Sequence, residues 1–169
     1  MEALECIKTR RSVRRYQNRE VPEELIKIIL EVAMSAPSAG NEQAWQFVVI
    51  TDKKVLSEVS VVSPYAPMAR DAGAGILVCG DTNLEKYEGF WVQDCSAATQ
   101  NLLLAAHALG LGAVWTGVYP MEDRVEGFKK LLKIPKDVIP FAFVPIGYPA
   151  QKPKADGRFK EDRVHHDGW

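Results

Sequence analysis

Between Cys95 and Met121 the chain carries no Asp, Glu, Lys or Arg, although 25% of its 169 residues are charged. A stretch of that kind has to leave water, either into a bilayer or into a protein core. Its own letters argue against the bilayer. Ser96, Thr99, Gln100, Asn101 and His107 interrupt it, and Gly110, Gly112, Gly117 and Pro120 would break a spanning helix. The reading is a buried helix from Trp91 to Leu109 with Gly110 as its cap, followed by a buried strand over Ala113 to Trp115. Small residues at Cys95, Ser96, Ala97 and Ala98 let a neighbour approach closely, so this helix is expected at the centre of the fold.

The rest of the chain supplies elements to surround it. Residues 2 to 9 read as a short helix. A second helix opens at Pro22 with Glu23 and Glu24, where proline and acids suit a first turn, and is expected to end near Ala36, before Pro37. Leu25, Ile28, Ile29 and Val32, widened by Ile26, Leu30 and Ala33, leave little of it made for water. Short β-rich runs at Gln46 to Thr51, Ile76 to Cys79 and Phe141 to Ile146 read as strands, and Met121 to Leu132 as a helix. The order lacks the regular alternation of a doubly wound fold. With 47% apolar residues the length suits one domain over 1–169, ending in a polar tail from Ala150 that needs something to dock on.

Composition narrows the functional classes. A net charge of -1 is not that of a dedicated nucleic-acid binder, and no membrane partner is expected. The start Met-Glu-Ala-Leu-Glu has neither the basic residues nor the apolar run of a secretory signal, and three cysteines without a C-x-x-C pair suit a reducing compartment, so a cytoplasmic protein is expected. His165 and His166 are adjacent and lack companion ligands, so no metal is expected; no G-x-S-x-G or Cys/His motif supports covalent hydrolysis.

Three constellations carry chemistry. Between Lys8 and Arg19 stand six basic residues and no acid, with Ser12 among them. Guanidinium forks fit phosphate, so this reads as a local anion site or, less specifically, as a solvated basic turn. Pro37 to Trp45 (Pro-Ser-Ala-Gly-Asn-Glu-Gln-Ala-Trp) is a loop of small residues, amides and a hydroxyl, able to edge a flat polar heterocycle or merely to connect a helix to a strand. Gly110 to Gly117 (Gly-Leu-Gly-Ala-Val-Trp-Thr-Gly) ends on a glycine where backbone can approach a ligand; its glycines follow a helix and precede a strand, the reverse of a dinucleotide fingerprint. Asp94 has three open roles: a cap, a partner for one of the arginines, or a part in chemistry, with structural pairing favoured.

Arg10-Arg11-Ser12-Val13-Arg14-Arg15-Tyr16, the Pro37 to Trp45 loop and the Leu109 to Gly117 run, followed by Pro145-Ile146-Gly147-Tyr148-Pro149 and a basic tail at Arg158 to Trp169, together resemble the FMN-dependent nitroreductase family in order and separation over nearly the whole chain. The resemblance implies an α+β fold, a central mainly antiparallel sheet flanked by helices, in an interlocked homodimer with FMN at the subunit interface and the tail, 150–169, docked on the partner. Carried over, Arg10, Ser12 and Arg14 would hold the FMN phosphate and ribityl chain, Arg11 would help through backbone or side chain, and Arg158 would close on the phosphate. Pro37, Ser38, Ala39 and Asn41, with Gln43 assisting, would reach the flavin from the partner subunit. Thr116 and Gly117 would lie along the ring and supply a donor toward N5, and Arg14 would favour negative charge at N1 and C2=O.

The implied activity is ping-pong traffic through one pocket, with hydride taken from NADH or NADPH and passed to a small organic acceptor such as a nitroaromatic or quinone, and no catalytic side chain. The chain is too short for the long helical insertion of larger relatives, so Asn83 to Trp91, with Tyr87, Phe90 and Trp91, is the candidate lid or else core. No second lysine stands in Pro64 to Asp71, so Arg14 is expected to act alone beside the ring. Competing readings are a flavin-binding or redox-sensing protein with little turnover, a relative with divergent flavin chemistry such as dehalogenation, and a phosphate-binding module without flavin.

Overall fold

A computed structural model describes residues 1–169. Five helices, α1 (Ala3–Thr9), α2 (Glu23–Met34), α3 (Lys53–Val62), α4 (Trp91–Ala108) and α5 (Glu122–Leu132), surround five strands, β1 (Trp45–Ile50), β2 (Ala74–Asp81), β3 (Gly112–Ala113), β4 (Thr116–Gly117) and β5 (Val138–Gly147). The sheet runs β1-β2-β5-β3 with β4 also on β5, and every pairing is antiparallel. This is the expected α+β architecture.

β2 and β5 lie at the centre and are buried almost throughout, which is why their sequences are continuous apolar runs. Alternation divides their side chains between two cores. Ile76, Val78, Val144 and Ile146 join α2 and α4 on one face; Leu77, Cys79 and Phe143 join α3 and α5 on the other. A bulge shifts the register between Val78 and Cys79 and sends both Phe141 and Ala142 to the α4 side. There Phe141 meets Trp91 and Trp115 edge-on, with ring centroids 6.0 and 5.6 Å apart.

The structure departs from the sequence reading in instructive places. The strand expected over Ala113 to Trp115 is two short pieces, β3 and β4, and Pro145, which has no N–H to give a ladder, lies opposite the break between them. Helix α2 stops at Met34, short of Ala36. Helix α3 has no counterpart in the reading, because four valines in ten residues suggest β-structure; Asp52 nonetheless accepts the Lys54 N–H at 2.7 Å as an N-cap, and Leu56 and Val59 bury one helical face. All three cysteines are buried free thiols, and burial pushes Cys79 up to about 12 and Cys95 higher still.

No helix is long and apolar enough to cross a membrane; the uncharged run becomes α4 and the β3–β4 segment. Apolar side chains nevertheless remain in water at Leu4 and Ile7 of α1 and at Ile28, Val32 and Met34 of α2. The tail is exposed from Lys152 to its end, Phe159 at 79%.

Phe128 of α5 and Phe143 of β5 are fully buried with ring centroids 5.7 Å apart. Phe128→Ala is expected to lower unfolding free energy by about 3–5 kcal/mol in a urea titration, the usual loss for a buried phenyl ring.

Candidate functional site

The basic segment leaves the C-terminus of α1 and is tied to the sheet at intervals. The Val13 N–H donates to the Ala113 carbonyl at 3.0 Å, the Gln17 N–H to that of Tyr148 at 2.8 Å, and the Arg15 carbonyl accepts the Ala150 N–H at 2.9 Å. Val13 and Tyr16 are buried, with the Tyr16 hydroxyl 2.7 Å from the Val13 carbonyl oxygen and 3.1 Å from that of Pro145. These anchors hold the backbone so that the cations between them need no support of their own.

Arg10 and Arg11 line an open pocket of about 570 Å³ with residues 155–159 of the tail, Arg158 among them. Arg11 is committed to carbonyls: its guanidinium donates to Lys8, Arg10 and Asp156 at 2.8, 2.7 and 2.6 Å, which ties the tail to the end of α1. Arg10 has no such partner. Burial first, then the charges of Arg158 and Arg11, lower its pKa below the ordinary value for arginine. The only ion pair in the chain is Lys27–Glu31, so no carboxylate neutralises these guanidinium groups.

Arg14 faces a second open pocket, of about 530 Å³, lined also by Arg15, Lys53 and Arg70 with the single acid Asp71. The expectation that Arg14 stands alone is therefore corrected. The cation in the Pro64 to Asp71 stretch is Arg70 rather than a lysine, and Lys53, anchored through Nζ to the Ala72 carbonyl at 2.5 Å, comes from the unexpected helix α3. Neither pocket is lined by Pro37–Gln43.

That loop is a tight, preformed structure. A 3-10 turn spans Ala39–Asn41, and Gly40, Asn41 and Gln43 all have positive φ (50, 55 and 50°). The Ser38 hydroxyl accepts the Gln43 N–H at 3.1 Å, and Asn41 Oδ1 accepts from Gln43 Nε2 at 2.8 Å. The Ser38 O–H and the Asn41 NH₂ group are left as donors. A Cβ on Gly40 would stand 2.4 Å from the Tyr87 ring, so the segment after β2 packs directly on the loop.

Asp94 does not pair with an arginine, as the sequence reading favoured. It is buried in the first turn of α4 and accepts the Ala39 N–H through Oδ1 at 2.9 Å. Beside it is Glu42, a loop residue to which the sequence alone assigns no role; its Oε2 accepts the N–H groups of Lys86 and Tyr87 at 2.7 and 3.1 Å. Of the candidate lid aromatics, Trp91 is core, while Tyr87 and Phe90 are exposed. Thr116 is buried and spends its hydroxyl on the Phe143 carbonyl at 2.7 Å, so only its backbone can serve a ligand. A Cβ on Gly117 would meet open space, and the Gly117 carbonyl is held by Arg124 at 3.0 Å.

Comparison with known proteins gives a consistent picture. The model of the nitroreductase family matches residues 7–62 and 61–148. The chain is 57% identical to a Methanothermobacter thermautotrophicus protein provisionally named NADH dehydrogenase/NAD(P)H nitroreductase, over all of this chain and 88% of the relative. A similarly named structure from Parabacteroides distasonis superposes with a TM-score of 0.94 at 43% identity, covering 98% of each chain. A Desulfovibrio desulfuricans structure, provisionally described as a nitroreductase in complex with FMN, gives 0.84 at 33% identity, covering 98% of this chain and 96% of that one.

Gly40→Ala combines a positive φ with a collision against Tyr87. It is expected to lower stability by about 1–3 kcal/mol, measured as a shift in the urea midpoint.

Proposed function

The chain belongs to the nitroreductase family, and from that premise we propose that it is a homodimeric FMN oxidoreductase that reduces a small organic acceptor, a nitroaromatic or quinone, at the expense of NAD(P)H in two alternating half-reactions. It is an NAD(P)H-dependent oxidoreductase; the acceptor class, the ping-pong order and the residue roles are the proposal.

The observation that carries the reading is the un-neutralised set of cations on the Arg10 to Arg14 segment. Arg10 is partly buried, crowded by Arg158 and Arg11, and without a carboxylate partner. Such a group is stabilised by a bound dianion, and the FMN phosphate supplies one. The residues fit the rest of the cofactor as well: a second basic pocket at Arg14, Arg70 and Lys53 suits the electron-rich edge of a reduced flavin, and the open space over Gly117 suits a flat ring.

In this reading Arg10 and Arg158 hold the phosphate, the Ser12 hydroxyl donates to it, and Arg11 fixes the tail so that Arg158 stays in place. FMN held there would supply the hydride-transfer and redox chemistry between NAD(P)H and the acceptor. Arg14, assisted by Arg70 and Lys53, stabilises negative charge on the ring. The backbone of Thr116 and Gly117, oriented by Arg124, provides the polar contact at the ring edge. Pro37, Ser38, Ala39 and Asn41 reach the flavin from the partner subunit, with Gln43 bracing Asn41. No side chain is required as acid or base.

The dimer is supported by what one chain leaves uncovered. Leu4, Ile7, Ile28, Val32 and Met34 are apolar and exposed, and the tail presents Phe159, Val164 and Trp169 to water. The proposal is one FMN-binding domain over 1–169, whose residues 150–169 embrace the second copy.

Purified protein is expected to be yellow, to sediment as a dimer, and to bleach anaerobically on addition of NADH or NADPH; flavin that stays oxidised would favour a binding protein with little turnover. Arg10→Ala is expected to weaken FMN about 10–100-fold in equilibrium dialysis, the loss of one charge-assisted contact. Unchanged affinity would remove Arg10 from the phosphate site.

A further inference from the structure

Asp94 and Glu42 are the most deeply buried acids in the chain, 4% and 7% exposed, and neither has a cation within ion-pair distance. Each places one oxygen on backbone N–H groups: Asp94 Oδ1 on Ala39, Glu42 Oε2 on Lys86 and Tyr87. The remaining oxygens, Asp94 Oδ2 and Glu42 Oε1, are buried without a hydrogen-bond partner. The two side chains stand close enough that each shifts the titration of the other. Two carboxylates accept but cannot donate, so these two oxygens can satisfy one another only if one of them carries a proton.

We propose that Asp94 and Glu42 share a single proton, and that this carboxyl–carboxylate pair is the latch that locks the Pro37–Gln43 loop to the Asn83–Phe90 segment and to the start of α4. Asp94 holds the loop through Ala39; Glu42, itself in the loop, holds the other segment through two N–H groups; the shared proton closes the circuit. Lys86 Nζ on the Gly40 carbonyl at 3.4 Å and the Tyr87 ring against Gly40 are the contacts the latch keeps in register. Both acids are positioning residues. Insofar as the latch shapes a flavin contact, it rests on the reading under which this loop reaches FMN.

The surrounding charges fix where the proton sits. Burial and the charges of Glu42 and Glu85 raise the Asp94 carboxyl above its ordinary value, against the Ala39 N–H. For Glu42 burial acts upward, but the Lys86 N–H, the proximity of the Asp94 carboxyl, the Tyr87 N–H and the Lys86 charge prevail and hold it below. From α4 the neighbouring titratable group is Cys95, a neutral thiol; Glu85 and Lys86 are the charges on the facing segment. The proton therefore sits on Asp94. Stability from Glu42 is present above its unfolded pKa and falls as acid protonates it. For Asp94 the folded form binds the extra proton, so stability is full below its unfolded pKa and declines as pH rises through the raised folded one. The latch holds between those limits and opens at both ends.

The test uses the full-length protein, with and without FMN. Infrared spectra are expected to show one protonated-carboxyl C=O band near neutral pH that fades as pH rises and is missing from Asp94→Asn. Hydrogen exchange, corrected for intrinsic rates, should show peptides spanning 37–43 and 84–90 opening together by about 10-fold or more across that titration, equivalent to one pKa unit. In Asp94→Asn the amide donates permanently to Glu42, so the same peptides should change less than about 2-fold. Glu42→Gln, which keeps the shape and removes one charge, should likewise lose the alkaline opening. Wild-type protein without the band, or Asp94→Asn with the wild-type pH dependence, overturns the latch. A normal band and exchange pattern in protein that does not bind FMN would support the latch and count instead against the flavin reading.

Discussion

The fold is hung on a helix that keeps one whole face out of water. After its first turn α4 has no ionised side chain, and Cys95, Ala98, Thr99, Leu102 and Ala106 are buried against the sheet and α2. Small residues along it bring those elements close, so dispersion and apolar burial act at short range. The one acid α4 carries, Asp94, is at the end where the Pro37–Gln43 loop crosses, and its burial follows from the burial of the helix. A loop with three positive-φ positions is costly to hold; it is held because a rigid element lies beneath it.

The opposite end of the site is built on another principle. The basic segment contributes anchors, Val13 and Tyr16, to the apolar core and lets its cations face solvent-filled pockets without counter-ions. Charge is concentrated there and absent along α4, although the chain as a whole is nearly neutral at -1. Electrostatic attraction of anionic ligands is thus local, while most of the fold is held by apolar burial.

The sequence was most informative where chemistry or solvent exclusion restricts the letters. The central helix, the core strands and the clustering of Arg10 and Arg11 with Arg158 follow from local composition and the family resemblance. Helix α3 was not legible, because its valines satisfy a buried helical face as well as a strand. The Asp94–Glu42 contact spans 52 positions, so no local pattern pairs these residues; only the packing of α4 on the loop does. Arg70 and Lys53 reach Arg14 in the same way, from separate elements. The division of β3 from β4 has no local signature, because it is matched to Pro145 on another strand.

The buried thiols have a consequence for a protein that handles electrons. Oxidants such as peroxide attack thiolate, not thiol. With Cys79 pushed up to about 12, its thiolate fraction at neutral pH is on the order of 10⁻⁵, and Cys95 is raised further, chiefly by burial. Both sulfurs are also inaccessible. The core can therefore keep cysteine, a small apolar residue that lets α4 lie close to β2, without becoming a target of any partially reduced oxygen released nearby.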